Sequence, residues 1–280
     1  MTRMMPIFAT ALLLTAGGCN QAPAPAANET ATDMNQAATA DSIDGTWKAE
    51  LASVQIDEEP SVTLLKDGVY SCSTCIPPLT VTADGAFHPV ADRPYYDSMS
   101  VKLVDDKTVT TVRKKGDRVI GENTMTVSAD GKTRDFTFSD SGTPGAKAVT
   151  GKGSDTRVGP APAGSHAISG SWKTAKYDNV SDDGLTVSFR IDGDTLNMNS
   201  PAGQSYAAKL GGPAAPIKGD TGGTTVAVER LAPNSFRETS TREGKVVNVT
   251  TMTVGADGKL SVVSESKLRK DTMRYTATRQ

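Results

Sequence analysis

A chain of 280 residues exceeds one ordinary domain and fits two by the usual allowance of ~100–200 residues each. Its 30 basic and 32 acidic residues leave a net charge of −2. The basic residues are scattered, so no basic stripe follows a phosphate backbone, and nucleic acid is not an expected partner. Beside the pair Cys72 and Cys75 only Cys19 and two histidines remain and a second C-x-x-C is missing, so a four-ligand metal site is not favoured, and no nucleophile, base and acid fall at a recognisable spacing. No catalytic residue, metal or cofactor is therefore assigned.

The chain begins with Arg3, an apolar run from Met4 to Leu14, and the small residues Ala16, Gly17 and Gly18 before Cys19. That run is too short to cross a hydrocarbon layer of ~30 Å, so residues 1–18 read as a cleaved export signal. The segment resembles a bacterial lipoprotein signal, whose cysteine becomes the lipidated first residue. The resemblance implies lipidation of Cys19. With Asn20 next, it also implies an outer-membrane protein facing the periplasm; a secreted or soluble periplasmic protein is the alternative. Residues 19–42 are rich in Ala, Pro, Asn and Thr and cannot bury enough surface to fold. As a flexible tether they would reach ~25–30 Å.

Gly45-Thr46-Trp47-Lys48 then opens a unit that returns as Gly170-Ser171-Trp172-Lys173. The copies also share Thr124-Met125-Thr126-Val127 with Thr251-Met252-Thr253-Val254, and Ala129-Asp130-Gly131-Lys132 with Ala256-Asp257-Gly258-Lys259. Each closes on Thr-Arg, at Arg157 and Arg279. Repeats of this length are domains rather than solenoid turns. The division expected is a first barrel over 43–158, a Pro/Gly-rich linker over 159–167, and a second barrel over 168–280.

Within each copy the period is two. Met99, Val101 and Leu103 alternate with Ser98, Ser100 and Lys102, as on a strand with one wet face. Asp-Gly pairs such as Asp67-Gly68, Asp130-Gly131 and Asp192-Gly193 punctuate the runs as hairpin turns. No window reads as an amphipathic helix. The fold class is all-β: two tandem small antiparallel meander barrels of roughly eight to ten strands each.

Gly-x-Trp on the first strand and a basic residue on the last resemble the signature of the lipocalins and their relatives. Gly45, Trp47 and Arg157 carry it in copy one; Gly170, Trp172 and Arg279 carry it in copy two. The resemblance implies that each arginine seals the barrel end over the indole of its own copy. It also implies, more weakly, a small apolar or amphipathic ligand. Tyr70, Phe87, His88, Tyr95 and Tyr96 are the candidate ligand contacts near a barrel mouth. The alternative is a non-catalytic envelope module with solid barrels, meeting another envelope protein.

Cys72-Ser73-Thr74-Cys75 is confined to copy one. Ile76 stands where c-type haem attachment needs His, and Pro77-Pro78 leave no following helix to acidify a thiol. A local disulfide in an oxidising compartment is the favoured reading, with a redox pair and a metal site as alternatives. Asp57-Glu58-Glu59 and Asp182-Asp183 read as solvated acidic loops. Features held by copy one alone (Cys72, Cys75, His88, Tyr95 and Tyr96) are where specific chemistry is expected.

Overall fold

The computed structural model describes residues 42–280, so the signal segment, Cys19 and the tether before Ser42 lie outside the described residues. From the first repeat come β1 (Gly45–Ala49), β2 (Gln55–Asp57), β3 (Ser61–Lys66), β4 (Val69–Cys72), β5 (Leu79–Thr82), β6 (Phe87–Pro89), β7 (Ser98–Leu103), β8 (Thr108–Lys115), β9 (Arg118–Val127), β10 (Thr133–Asp140) and β11 (Val149–Arg157). From the second come β12 (Gly170–Val180), a single helical turn α1 (Asp182–Leu185), β13 (Thr186–Asp192), β14 (Thr195–Asn199), β15 (Ser205–Lys209), β16 (Ala215–Pro216), β17 (Thr225–Ala232), β18 (Ser235–Arg242), β19 (Lys245–Val254), β20 (Leu260–Ser266) and β21 (Asp271–Arg279). The expected all-β class and the two nearly closed antiparallel barrels are present.

Turn chemistry sets the hairpins. Asp67 and Gly68 take φ +50° and +73° between β3 and β4, and both positions of the tight turn need that left-handed backbone. Glu243 and Gly244 do the same between β18 and β19, at +50° and +74°, in a turn that the Asp-Gly pattern does not flag.

The membership of the barrels differs from the expected division. One sheet runs β5-β4-β3-β12-β11-β10-β9-β8-β7-β6, and the other runs β15-β14-β13-β1-β21-β20-β19-β18-β17-β16, with β2 attached to β21. Barrel 1 is thus the continuous stretch 61–180. It is inserted between the β1–β2 segment and the remainder of barrel 2, which spans 186–279. The segment 159–167 is not an interdomain linker; it belongs to the connection between β11 and β12 inside barrel 1.

The two opening strands have changed places. β12 pairs with β11 and β3, with Trp172 opposite Arg157 and Ser61. β1 pairs with β13 and β21, with Trp47 opposite Val187 and Arg279. The physical reason is loop closure. After β11 the chain needs only a short connection to lay β12 beside it, whereas pairing β11 with β1 would close a loop spanning the whole first repeat. Since Gly-Thr-Trp-Lys and Gly-Ser-Trp-Lys are near-equal edges, either fits either barrel.

Apolar side chains surround each indole, and barrel 1 also buries the Arg134–Asp155 pair beside Trp172. Trp172, Met99, Val101, Met125 and Phe136 pack in barrel 1; Trp47, Phe189, Phe236, Met252 and Leu260 pack in barrel 2. Contacts between the halves come from strand ends remote from the indoles. Val180 packs against both cores, and Ala202 of the second repeat joins the core of barrel 1. Glu58, expected in a solvated loop, is buried at the crossing and accepts a hydrogen bond from the Thr174 amide at 2.8 Å. Asp182 meets Lys48 at 2.8 Å on the surface.

Candidate functional site

The signature residues form end plugs. Trp47 and Trp172 are fully buried, and each indole N–H donates to a carbonyl four residues back, Ile43 at 2.8 Å and Ile168 at 2.9 Å. Arg157 covers Trp172, not Trp47, with its guanidinium carbon 4.1 Å from the ring centre; Arg279 covers Trp47 at 4.4 Å. The expected pairing of each arginine with its own copy's indole is therefore reversed, because β1 and β12 are exchanged. Each arginine also ties down the approach to the opposite strand. Arg157 donates to the Ala167 and Ser169 carbonyls, and Arg279 to those of Ser42 and Asp44.

The motif's glycines follow from this packing. Gly45 and Gly170 sit at φ +128° and +126°. A Cβ there would fall 2.8 Å from Arg279 Nη1 and 2.5 Å from Arg157 Nη1, respectively. Glycine meets both the backbone and the space requirement.

Cys72 and Cys75 are joined, with sulfurs 2.11 Å apart. Both residues are almost wholly buried in the core of barrel 1, which leaves no open approach for a partner thiolate. The sulfurs bind each other, and no cluster of metal-binding side chains occurs among the described residues.

The five candidate ligand contacts do not converge. Tyr70 is buried in the core of barrel 1, and burial pushes its hydroxyl up to about 12. Tyr96 is buried in the same core, with Arg93 and Arg113 each 5.7 Å from its ring centre. Phe87 is 41 % exposed under the Lys114 ammonium. His88 holds Asp84 at 2.8 Å on the surface. Tyr95 reaches the second barrel, where its hydroxyl accepts from Arg242 at 2.9 Å.

A polar constellation lies instead in barrel 2. Strand register places Val228, Glu238, Thr250, Ser264 and Met273 along one row of inward positions. The next row, farther from Trp47, holds Val226, Ser240, Asn248, Ser266 and Asp271. Phe236, Met252, Val262 and Tyr275 form the apolar floor beneath. Asn248 Nδ2 donates to Thr250 Oγ1 at 2.9 Å and to Ser264 Oγ at 3.1 Å; Thr250 and Ser264 stand 3.3 Å apart.

Glu238 accepts a short hydrogen bond from the Tyr206 hydroxyl, which reaches it from β15. Burial raises the carboxyl to about 7, against the opposing pull of that bond. The same burial pushes Tyr206 and Tyr275 far above the usual phenol range. Glu238, Ser240, Asn248, Ser264 and Met273 are each half-buried, and these inward positions form a polar cup in this half of the lumen.

Barrel 1 fills the corresponding place. Thr111, Asn123, Phe138 and Gly151 take the register positions of Glu238, Thr250, Ser264 and Met273. The Phe138 ring occupies the space over Gly151 so fully that a Cβ there would overlap it. The site thus lies in copy two, whereas the sequence comparison pointed to copy one. Its signal was present in Phe236-Arg237-Glu238: Glu238 falls two residues from Phe236, on the apolar face of its strand.

No family model matches the chain, and neither a curated protein nor a solved structure is significantly similar to it.

Proposed function

We propose that this chain is a lipid-anchored protein of the bacterial cell envelope, held by Cys19 and a tether over 19–42. Its double barrel serves there as a rigid, non-catalytic module that meets another envelope component. The observation that supports a rigid module is the insertion of barrel 1 between β2 and β13, which joins the halves through two chain crossings. Two crossings restrict relative motion far more than one flexible linker would.

The apolar-carrier reading has less support. Beneath Trp47, between Ala49, Leu185, Val187, Leu260, Val262, Tyr275 and Ala277, no space is wide enough for a water molecule. Pockets for drug-sized ligands run from ~300 Å³ upward.

Membrane fractionation tests the anchor: Cys19→Ser is expected to release the protein, and unchanged attachment would overturn lipidation. Native mass spectrometry of protein taken from its own membrane tests the module. A mass equal to the lipidated chain alone is expected; a stoichiometric apolar molecule would restore the carrier reading.

A further inference from the structure

Glu238 is a carboxylate facing into a barrel, and among the described residues no lysine or arginine is set against it. Burial and the Tyr206 hydroxyl govern its titration, and no lysine or arginine contributes. The other ionisable groups facing that lumen are Tyr206 on β15, Tyr275 and Asp271 on β21, and Arg230 on β17. Arg230 lies toward the opposite end, 5.1 Å from the Phe236 ring centre. Beside the cup, Arg242 is engaged by the ring and hydroxyl of Tyr95, and Asp220 accepts from the Gly222 and Thr224 amides. A carboxylate withdrawn from water, as half-buried Glu238 is, normally has a counter-charge.

We propose that the polar half of barrel 2 binds a small organic ammonium ion, with Glu238 as its counter-ion and the oxygens of Thr250, Ser264 and Asn248 as further acceptors. An ammonium group carries three donors, which matches one carboxylate beside a cluster of hydroxyl and amide oxygens. Thr250 lies directly opposite Glu238 in the ladder, and Asn248 and Ser264 are hydrogen-bonded to it, so the cluster begins one strand from the carboxylate. Met273, Met252 and the Tyr275 ring supply apolar contact for a short alkyl chain, and an aromatic face also attracts cations. A hard metal cation fits less well, since calcium takes six to eight oxygens and Glu238 is the sole carboxylate on its row of the lumen. The proposal is independent of lipid anchoring.

Ethylammonium chloride is the probe, with ethanol as the uncharged isostere and sodium chloride as the ionic control. Methyl NMR of the full chain in detergent micelles reads binding at Met252, Met273 and Val262. Saturable shifts at pH 8 with ethylammonium alone are expected, weakening at least tenfold at pH 5, where Glu238 is protonated. Glu238→Gln is expected to abolish them. A second variant, Ser264→Phe with Met273→Gly, copies the packing of Phe138 over Gly151 and is expected to block the cup while keeping the fold. Absence of saturable shifts overturns the proposal. So does an equal response to ethanol, to sodium, in Glu238→Gln or in the filled variant.

Discussion

Arg157 stacks on Trp172, its neighbour across the β11–β12 ladder, rather than on the Trp47 that opens its own repeat. The stacking makes the strand exchange measurable. A double-mutant cycle on Arg157→Ala and Trp172→Phe is expected to give a coupling of ~0.5–2 kcal/mol, whereas Arg157→Ala and Trp47→Phe are expected to be additive. Chemical unfolding supplies the free energies. Coupling in the second cycle instead of the first would place β1 back in barrel 1.

Gly170→Ala and Gly45→Ala are each expected to cost more than ~1 kcal/mol, because alanine resists φ near +126° and its Cβ meets the covering arginine. At Gly193, also at positive φ but with open space around it, alanine keeps only the backbone part of that cost. Thermal melts of the three variants rank them.

Arg134 and Asp155 form a buried pair, with Nε and Nη2 on one carboxylate oxygen at 2.9 and 2.6 Å. Burial pushes the Asp155 carboxyl up while Arg134 pulls it back. Barrel 2 builds the equivalent position from Leu260 and Ala277. Asp155→Ala alone is expected to lose ~3–5 kcal/mol, since it strands a buried guanidinium. Adding Arg134→Leu is expected to recover most of that loss, as read by denaturant unfolding.

Stability should fall as pH rises between the unfolded and folded values of Glu238. Its folded pKa, about 7, lies above the ordinary 4.5, so the native state binds the extra proton in that window. The contribution is complete below pH 4.5 and is lost as pH passes 7, at ~1.4 kcal/mol per unit of separation. Urea midpoints from pH 4 to 8 should show the decline, and Glu238→Gln should flatten it.

Removing the disulfide with Cys72→Ser and Cys75→Ser is expected to cost no more than ~2 kcal/mol, because the loop it closes is very short. Copy two builds its counterpart positions, Asn199 and Ala202, without a bridge. A fold that collapses on reduction would contradict this.

Period-two alternation, Asp-Gly turns and a doubled Gly-x-Trp with closing Thr-Arg are enough to specify two all-β units. Those are local signals, written within a few residues of where they act. The sequence also contained the burial of both indoles, because an arginine over an indole is a favourable seal in either barrel.

Only the tertiary structure decided which arginine meets which indole. β1 and β12 are near-identical edges, so pairing preference cannot separate them, and the shorter loop from β11 to β12 breaks the tie. The candidate site was hidden for a related reason. Comparing repeats highlighted residues unique to copy one, while Glu238 stands opposite Thr111 in the alignment as one unremarked acid among many. Its chemistry arises when six neighbouring strands turn it inward with Tyr206 and withhold a counter-charge, and that is a property of the closed sheet.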